Sequence, residues 1–179
     1  LRLRDLAALL GANLALALGP WLVRSADVGP VAAAFWRMAL ALPLLVVFAL
    51  WFGRGNATPP RGRNRMWLAF AGLFFAADLA CWHLGIVQTK LANATLLGNT
   101  ASLLYPIYGF LIVRAMPSRM QGLALVLALI GGGLLLGRSY EVSPRHFRGD
   151  LFSLAAGIFY TFYLIGIERA RASLPPWNV

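Results

Sequence analysis

Charge is what this sequence has least of. Only 12% of its 179 residues are Asp, Glu, Lys or Arg, and the acidic ones number 6 against 16 basic. A soluble domain carries about 25% charged and about 45–50% apolar residues. Here 60% are hydrophobic and the mean hydropathy is +0.71, which excludes an ordinary soluble fold. Cysteine is nearly absent too. Cys81 stands alone, so an internal disulfide and a four-cysteine metal centre are both excluded. The chain also lacks a His/Glu metal pair at helical spacing, a nucleophile elbow and a phosphate loop, and the run Gly131 to Gly133 is not one by itself. Neither an enzyme, a metal nor a cofactor is expected. A cleavable signal peptide is missing as well, because the apolar runs are too many and too long.

What the sequence does have is long apolar runs. A membrane-spanning helix needs about 20 mostly apolar residues. Six segments qualify: Leu6 to Val23, Val31 to Phe52, Met66 to Val87, Leu91 to Val113, Pro117 to Leu136 and Leu151 to Glu168. They are too long and too unalternating for strands. The fold class is therefore all-α, a polytopic integral membrane protein with six transmembrane helices. Pro117 is expected to open the fifth helix, where a missing N–H is harmless. Pro20, Pro43 and Pro106 are expected to bend or end theirs. The two longer connections, Gly53 to Arg65 and Gly137 to Asp150, are rich in Gly, Pro and Arg and read as loops.

A net charge of +10 would suggest nucleic acid for a soluble chain. Here the basic residues sit in the gaps between apolar runs, where they act as topology signals and headgroup contacts, so the partner is the lipid bilayer and no nucleic acid is expected. One side would hold ten: Arg2, Arg4, Arg54, Arg61, Arg63, Arg65, Arg114, Arg119, Arg169 and Arg171. The other would hold five: Arg24, Lys90, Arg138, Arg145 and Arg148. This asymmetry places the N-terminus in the cytoplasm. An internal echo adds to the picture. "DLAAL" at Asp5 returns as "DLFSL" at Asp150, and Arg24 and Arg169 share the same offset of 145. Five helices separate the two starts, and an odd number inverts the second unit, as in many transporters.

The run "ATLLGNTASLLYPIY" stands out against this background. Thr95, Asn99, Ser102 and Pro106 are spaced four, three and four apart and so share one helix face. Lipid is a poor place for that stripe. It faces either a neighbouring helix, through interhelical hydrogen bonds, or a watery cavity, and the proline that frees a carbonyl near Ser102 favours the cavity. Asn13 is another deep polar residue, in the first helix. Asp78, in mid-helix, is by default a functional residue: it can take up a proton, bind a cationic group or form a structural ion pair. Arg37 is its obvious partner, although it can instead snorkel to the surface. By rise per residue, Arg37, Asp78 and Asn99 lie roughly 9, 13 and 12 Å below one interface. Trp82 shares the face of Asp78. His83 does not, and reads as hydrogen-bonded filler. Trp21, Trp36, Trp51 and Trp67 fit an aromatic belt.

These pieces together resemble a known family. "LLGANLALALGPWLV", the proline–arginine pattern of "PVAAAFWRMALALPLL", "QTKLANATLLGNTASLLYPIYGFLI", "PSRMQGLALVLALIGGGLLLG" and "GDLFSLAAGIFYTFYLIGIERA" resemble, in order, elements of the EamA-type domain of the drug/metabolite transporter superfamily. The family's Glu-Arg pair before the fifth helix is absent at Ala115 and Met116. The resemblance implies a 5+5 inverted-repeat transporter. Residues 1–137 would be the first repeat, 138–150 the inter-repeat loop and 151–179 the start of the second, with about four helices lacking. It also implies secondary export of small metabolites or amino-acid-like compounds across a bacterial inner membrane, with a proton or cation as coupling partner. Asp78 and Arg37 would couple or pair, and Asn13, Trp82, Thr95, Asn99, Ser102 and Pro106 would line the route. The alternative is a non-transporting membrane scaffold or assembly subunit, in which the stripe packs against a neighbouring helix.

Overall fold

The computed structural model describes residues 3–52, 62–113, 117–139 and 144–171. Ala115 and Met116, most of the Gly53 to Arg65 connection and the C-terminal "LPPWNV" lie outside the described residues. Among the described residues seven helices form: α1 (Leu3–Ser25), α2 (Pro30–Phe52), α3 (Arg63–Gln88), α4 (Leu91–Gly98), α5 (Ala101–Val113), α6 (Arg119–Ser139) and α7 (Pro144–Arg171). Five stretches are long and apolar enough to cross a membrane: Asp5–Ser25, Pro30–Trp51, Arg63–Gln88, Leu91–Ile112 and His146–Arg171; Arg119–Leu134 is a shorter apolar helix. The chain is an all-helical, polytopic membrane protein, and no strand occurs among the described residues.

Four details depart from the sequence expectation. The fourth span is not one helix but two, α4 and α5, interrupted at Asn99 and Thr100. The fifth helix opens at Arg119 rather than Pro117. Ser118 takes the cap: its amide donates to Gln121 Oε1 at 2.9 Å, and the Gln121 amide donates back to Ser118 Oγ at 3.3 Å. This reciprocal box leaves Pro117 outside the helix. The expected loop from Gly137 to Asp150 is helical at both ends, since α6 runs to Ser139 and α7 begins at Pro144. Finally, Pro20, Pro43 and Pro106 end no helix; α1, α2 and α5 continue through them.

The core is the pairing of α3 with α7. Three close approaches set its register. A Cβ on Gly149 would lie 2.6–2.8 Å from the Gln88 and Thr89 backbone and the Thr89 Cβ. Gly85 lies against Ser153, and Gly166 against Ala71 and Phe70. As α7 is followed forward its partners on α3 run backward, so the two are antiparallel. On α7 the small residues Gly149, Ser153, Gly157 and Thr161 recur every four positions, a spacing that lets helix backbones approach closely in lipid. Ser153 and Thr161 are buried and donate to the Gly149 and Gly157 carbonyls at 2.8 and 2.9 Å, so their hydroxyls need no partner across the interface. Aromatic rings fill the other end: Phe74 lies 4.9 Å from Phe162 and 5.9 Å from Phe159, and Phe75 lies 4.8 Å from Tyr163. By contrast, α1 and α2 leave Leu14, Leu16, Phe35 and Leu40 more than half exposed, as suits surfaces in contact with acyl chains.

Candidate functional site

The interrupted span lies against α7. Gly98 ends α4 because its neighbours are poor helix formers whose side chains bond the local backbone instead. The Asn99 amide reaches both Thr95 and Leu96 carbonyls, and the Thr100, Ser102 and Leu103 amides bond three residues back. The break is therefore a tight turn of 3₁₀ character, of the kind that marks hinges. Gly157 of α7 sits on it: a Cβ there would collide with the Thr100 hydroxyl and lie 2.8 and 3.0 Å from the Leu97 and Gly98 carbonyls.

The polar stripe is satisfied from within. Thr95 Oγ1 donates to the Leu91 carbonyl at 2.8 Å, Asn99 Nδ2 to the Thr95 carbonyl at 2.7 Å, and Ser102 Oγ to the Asn99 carbonyl at 2.7 Å. None of these three bonds crosses to another helix. Ser102 and Pro106, with Tyr105, Gln121 and Glu168, line a cavity of about 620 Å³ between α5, α6 and the end of α7. Thr95 and Asn99 do not line it. Neither does Asn13, which is exposed on α1 and donates to the Leu9 carbonyl at 2.8 Å.

A second group forms beside the break. Arg37 of α2 stacks over Trp82 of α3, 5.7 Å from the ring centroid. Trp82 in turn abuts Gly98, where a Cβ would sit 3.1 Å from its Cδ1. The charge of Arg37 acts on Asp78, and Tyr160 and Tyr163 of α7 lie within electrostatic reach of that carboxylate. No ion pair joins Arg37 to Asp78 among the described residues; the guanidinium sits on the indole face. So Arg37, Asp78 and Trp82, three residues singled out from the sequence, do come together. His83 is fully buried, with Nδ1 2.7 Å from the Leu79 carbonyl and Nε2 without a partner. Of the triple glycine only Gly132 approaches a neighbour, Leu96.

Several polar groups escaped the sequence reading. Asp150, first noticed only as an echo of Asp5, is buried and accepts the Thr89 hydroxyl at 2.6 Å and Asn93 Nδ2 at 3.5 Å. Arg24 at the end of α1 donates to the Thr89 carbonyl. At the opposite end of α7, Glu168 lies within electrostatic reach of Tyr105, and Arg169 donates to the Tyr108 hydroxyl at 3.0 Å. The four-residue spacing of small groups on α7 was the legible signal for the first cluster. The tyrosines gave none, since ring residues at helix ends read as belt.

An all-helical membrane protein with a discontinuous span and ionisable side chains at mid-helix is built like a transporter. Residues 4–137 match the model of the EamA-like transporter family, and the chain belongs to that family. It is 26% identical over 140 residues to an uncharacterized transporter of Archaeoglobus fulgidus, an overlap of 78% of this chain and 48% of that protein. The chain thus spans about half the length of that curated relative. No solved structure matches it.

Proposed function

We propose that this chain forms part of a secondary transporter that exports small metabolites or amino-acid-like compounds across a bacterial inner membrane, with its N-terminus in the cytoplasm. The observation that carries this reading is the position of the 620 Å³ cavity, which abuts α5 just beyond the break and takes Ser102 and Pro106 as wall. Around the same break lie Trp82, Arg37 and Asp78. Asp78 is the coupling residue, taking up a proton or a cation during the cycle. Arg37, held on Trp82, sets the field at Asp78. Ser102 and Pro106 line the route, with Thr95 and Asn99 shaping the turn above them. Alternating access comes from rocking one group of helices against another about this site.

The test is coupled flux in proteoliposomes. Asp78→Asn keeps the size and polarity of the side chain and removes the titratable charge. Proton-coupled transport of a candidate amine or amino acid is expected to vanish while the protein still inserts and folds. Flux with unchanged pH dependence would remove Asp78 from the coupling role.

A further inference from the structure

We propose that α5 is a hinged arm, pivoting on α7 at Gly157 and latched to α7 by the Tyr108–Arg169 hydrogen bond, and that this latch governs access to the cavity. The inference rests on the cavity reading above and goes beyond it by naming the moving part and its catch.

The two ends of the fourth span are held very differently. At the α3–α4 corner the chain is pinned. Gly149 presses on the Gln88–Thr89 backbone, the buried Asp150 carboxylate takes bonds from Thr89 and Asn93, and Arg24 ties the end of α1 to the same carbonyl group of Thr89. So α3, α4 and the start of α7 move as one body. Beyond Asn99 and Thr100 the attachment changes. The turn itself bears on Gly157, through the Thr100 hydroxyl and the Leu97 and Gly98 carbonyls. Element ends of this kind absorb the dihedral change of a hinge. Pro106 deprives α5 of one further backbone bond, at the carbonyl of Ser102.

Further along α5, Tyr105 and Tyr108 come up against exposed side chains near the end of α7. Glu168 and Arg169 are both exposed; Arg169 donates to the Tyr108 hydroxyl, and Glu168 lies within electrostatic reach of Tyr105. Gly157 and Glu168 are eleven residues apart, about 16 Å along the helix. The arm is thus supported at a close-packed fulcrum and caught part-way along its length by a hydrogen bond between exposed side chains. Tyr105 and Glu168 are also cavity walls, so releasing the arm opens the cavity itself rather than some remote seam. Such a bond is modest in strength and can be exchanged for water. That suits a catch which must open in every cycle.

The experiment reads cavity access with a reporter thiol. In a Cys81→Ser background of the whole protein, Ser102→Cys is labelled in membranes with a water-soluble maleimide. Tyr108→Phe removes the hydroxyl and keeps the ring, and labelling is expected to rise about three- to tenfold. Glu168→Gln, which leaves the Tyr108–Arg169 bond in place, is expected to label at nearly the parental rate. Labelling that proceeds equally fast with and without the hydroxyl overturns the latch and leaves the cavity standing. No labelling of Ser102→Cys in any background overturns the cavity, and the latch with it.

Discussion

The Thr89 hydroxyl donates to the Asp150 carboxylate across a helix boundary at 2.6 Å, and both groups are buried. Thr89 caps α3 in an extended conformation, and its amide donates to the Gly85 carbonyl. A buried carboxylate that loses its donor keeps its desolvation penalty without the compensating bond. Thr89→Val is expected to destabilise the protein by about 1–3 kcal/mol. Asp150→Asn is expected to destabilise it less than Asp150→Ala, because the amide oxygen still accepts. In a double-mutant cycle read by thermal unfolding in detergent, Thr89→Val and Asp150→Ala should be coupled by about 1 kcal/mol or more. Additive effects would contradict the pin.

Two glycines of α7 should resist the smallest possible change. Gly149→Ala places a methyl 2.6–2.8 Å from the Gln88 and Thr89 backbone. Gly157→Ala places one against the Leu97 and Gly98 carbonyls and the Thr100 hydroxyl. Backbone cannot step aside as a flexible side chain does, so the helices must separate. Each substitution is expected to lower stability by about 1–3 kcal/mol. Gly131→Ala and Gly133→Ala, which meet open space, should leave it unchanged. The check is the unfolding midpoint of all four variants side by side.

Arg37 and Trp82 should behave as a pair. Trp82→Phe keeps an aromatic face and should retain most of the contact, whereas Trp82→Leu abolishes it. The interaction is worth about 0.5–2 kcal/mol. Because the indole also abuts Gly98, Trp82→Leu should additionally alter transport by loosening the turn, while Arg37→Lys should affect it less than Arg37→Leu. Flux for the four variants separates the two roles.

The capping box gives a local prediction. Ser118→Ala removes the acceptor for the Gln121 amide and is expected to cost about 0.5–2 kcal/mol of α6 stability. Gln121 also walls the cavity, so Gln121→Ala should touch both stability and transport. Amide hydrogen exchange in the first turn of α6 distinguishes them: Ser118→Ala speeds exchange there and leaves substrate affinity alone.

The spans were legible because bilayer thickness fixes a length that composition reveals directly. The break at Asn99 was not read, although Gly98 and Asn99 are poor helix formers standing together. Surrounding leucines carried the apolar run straight over them, and hydropathy does not record backbone bonding. The stripe from Thr95 to Pro106 was read as one face of a continuous helix, whereas the span breaks within it and the hydrogen bonds of Thr95, Asn99 and Ser102 run back along their own chain. Only tertiary placement divides Ser102 and Pro106, on the cavity, from Thr95 and Asn99, off it. Asp78, Trp82 and Arg37 could be matched by depth and face, since both follow from helix geometry. That Arg37 lies on the indole rather than on the carboxylate is decided by packing across α2 and α3. Asp150 was seen only as part of an echo, because a carboxylate beside an arginine-rich connection looks like surface until its donors are known.

Cysteine scanning from Leu103 to Leu111 in a Cys81→Ser background tests most directly whether the cavity beside the interrupted span is open to water. Positions 103, 106, 109 and 110 wall the cavity, and 104, 107 and 111 face outward among exposed apolar groups. The account predicts that a membrane-impermeant thiol reagent modifies the first set, that substrate slows the modification, and that the second set stays unreactive. Protection of every position alike would mean a packed seam, and this chain would then serve as scaffold rather than passage.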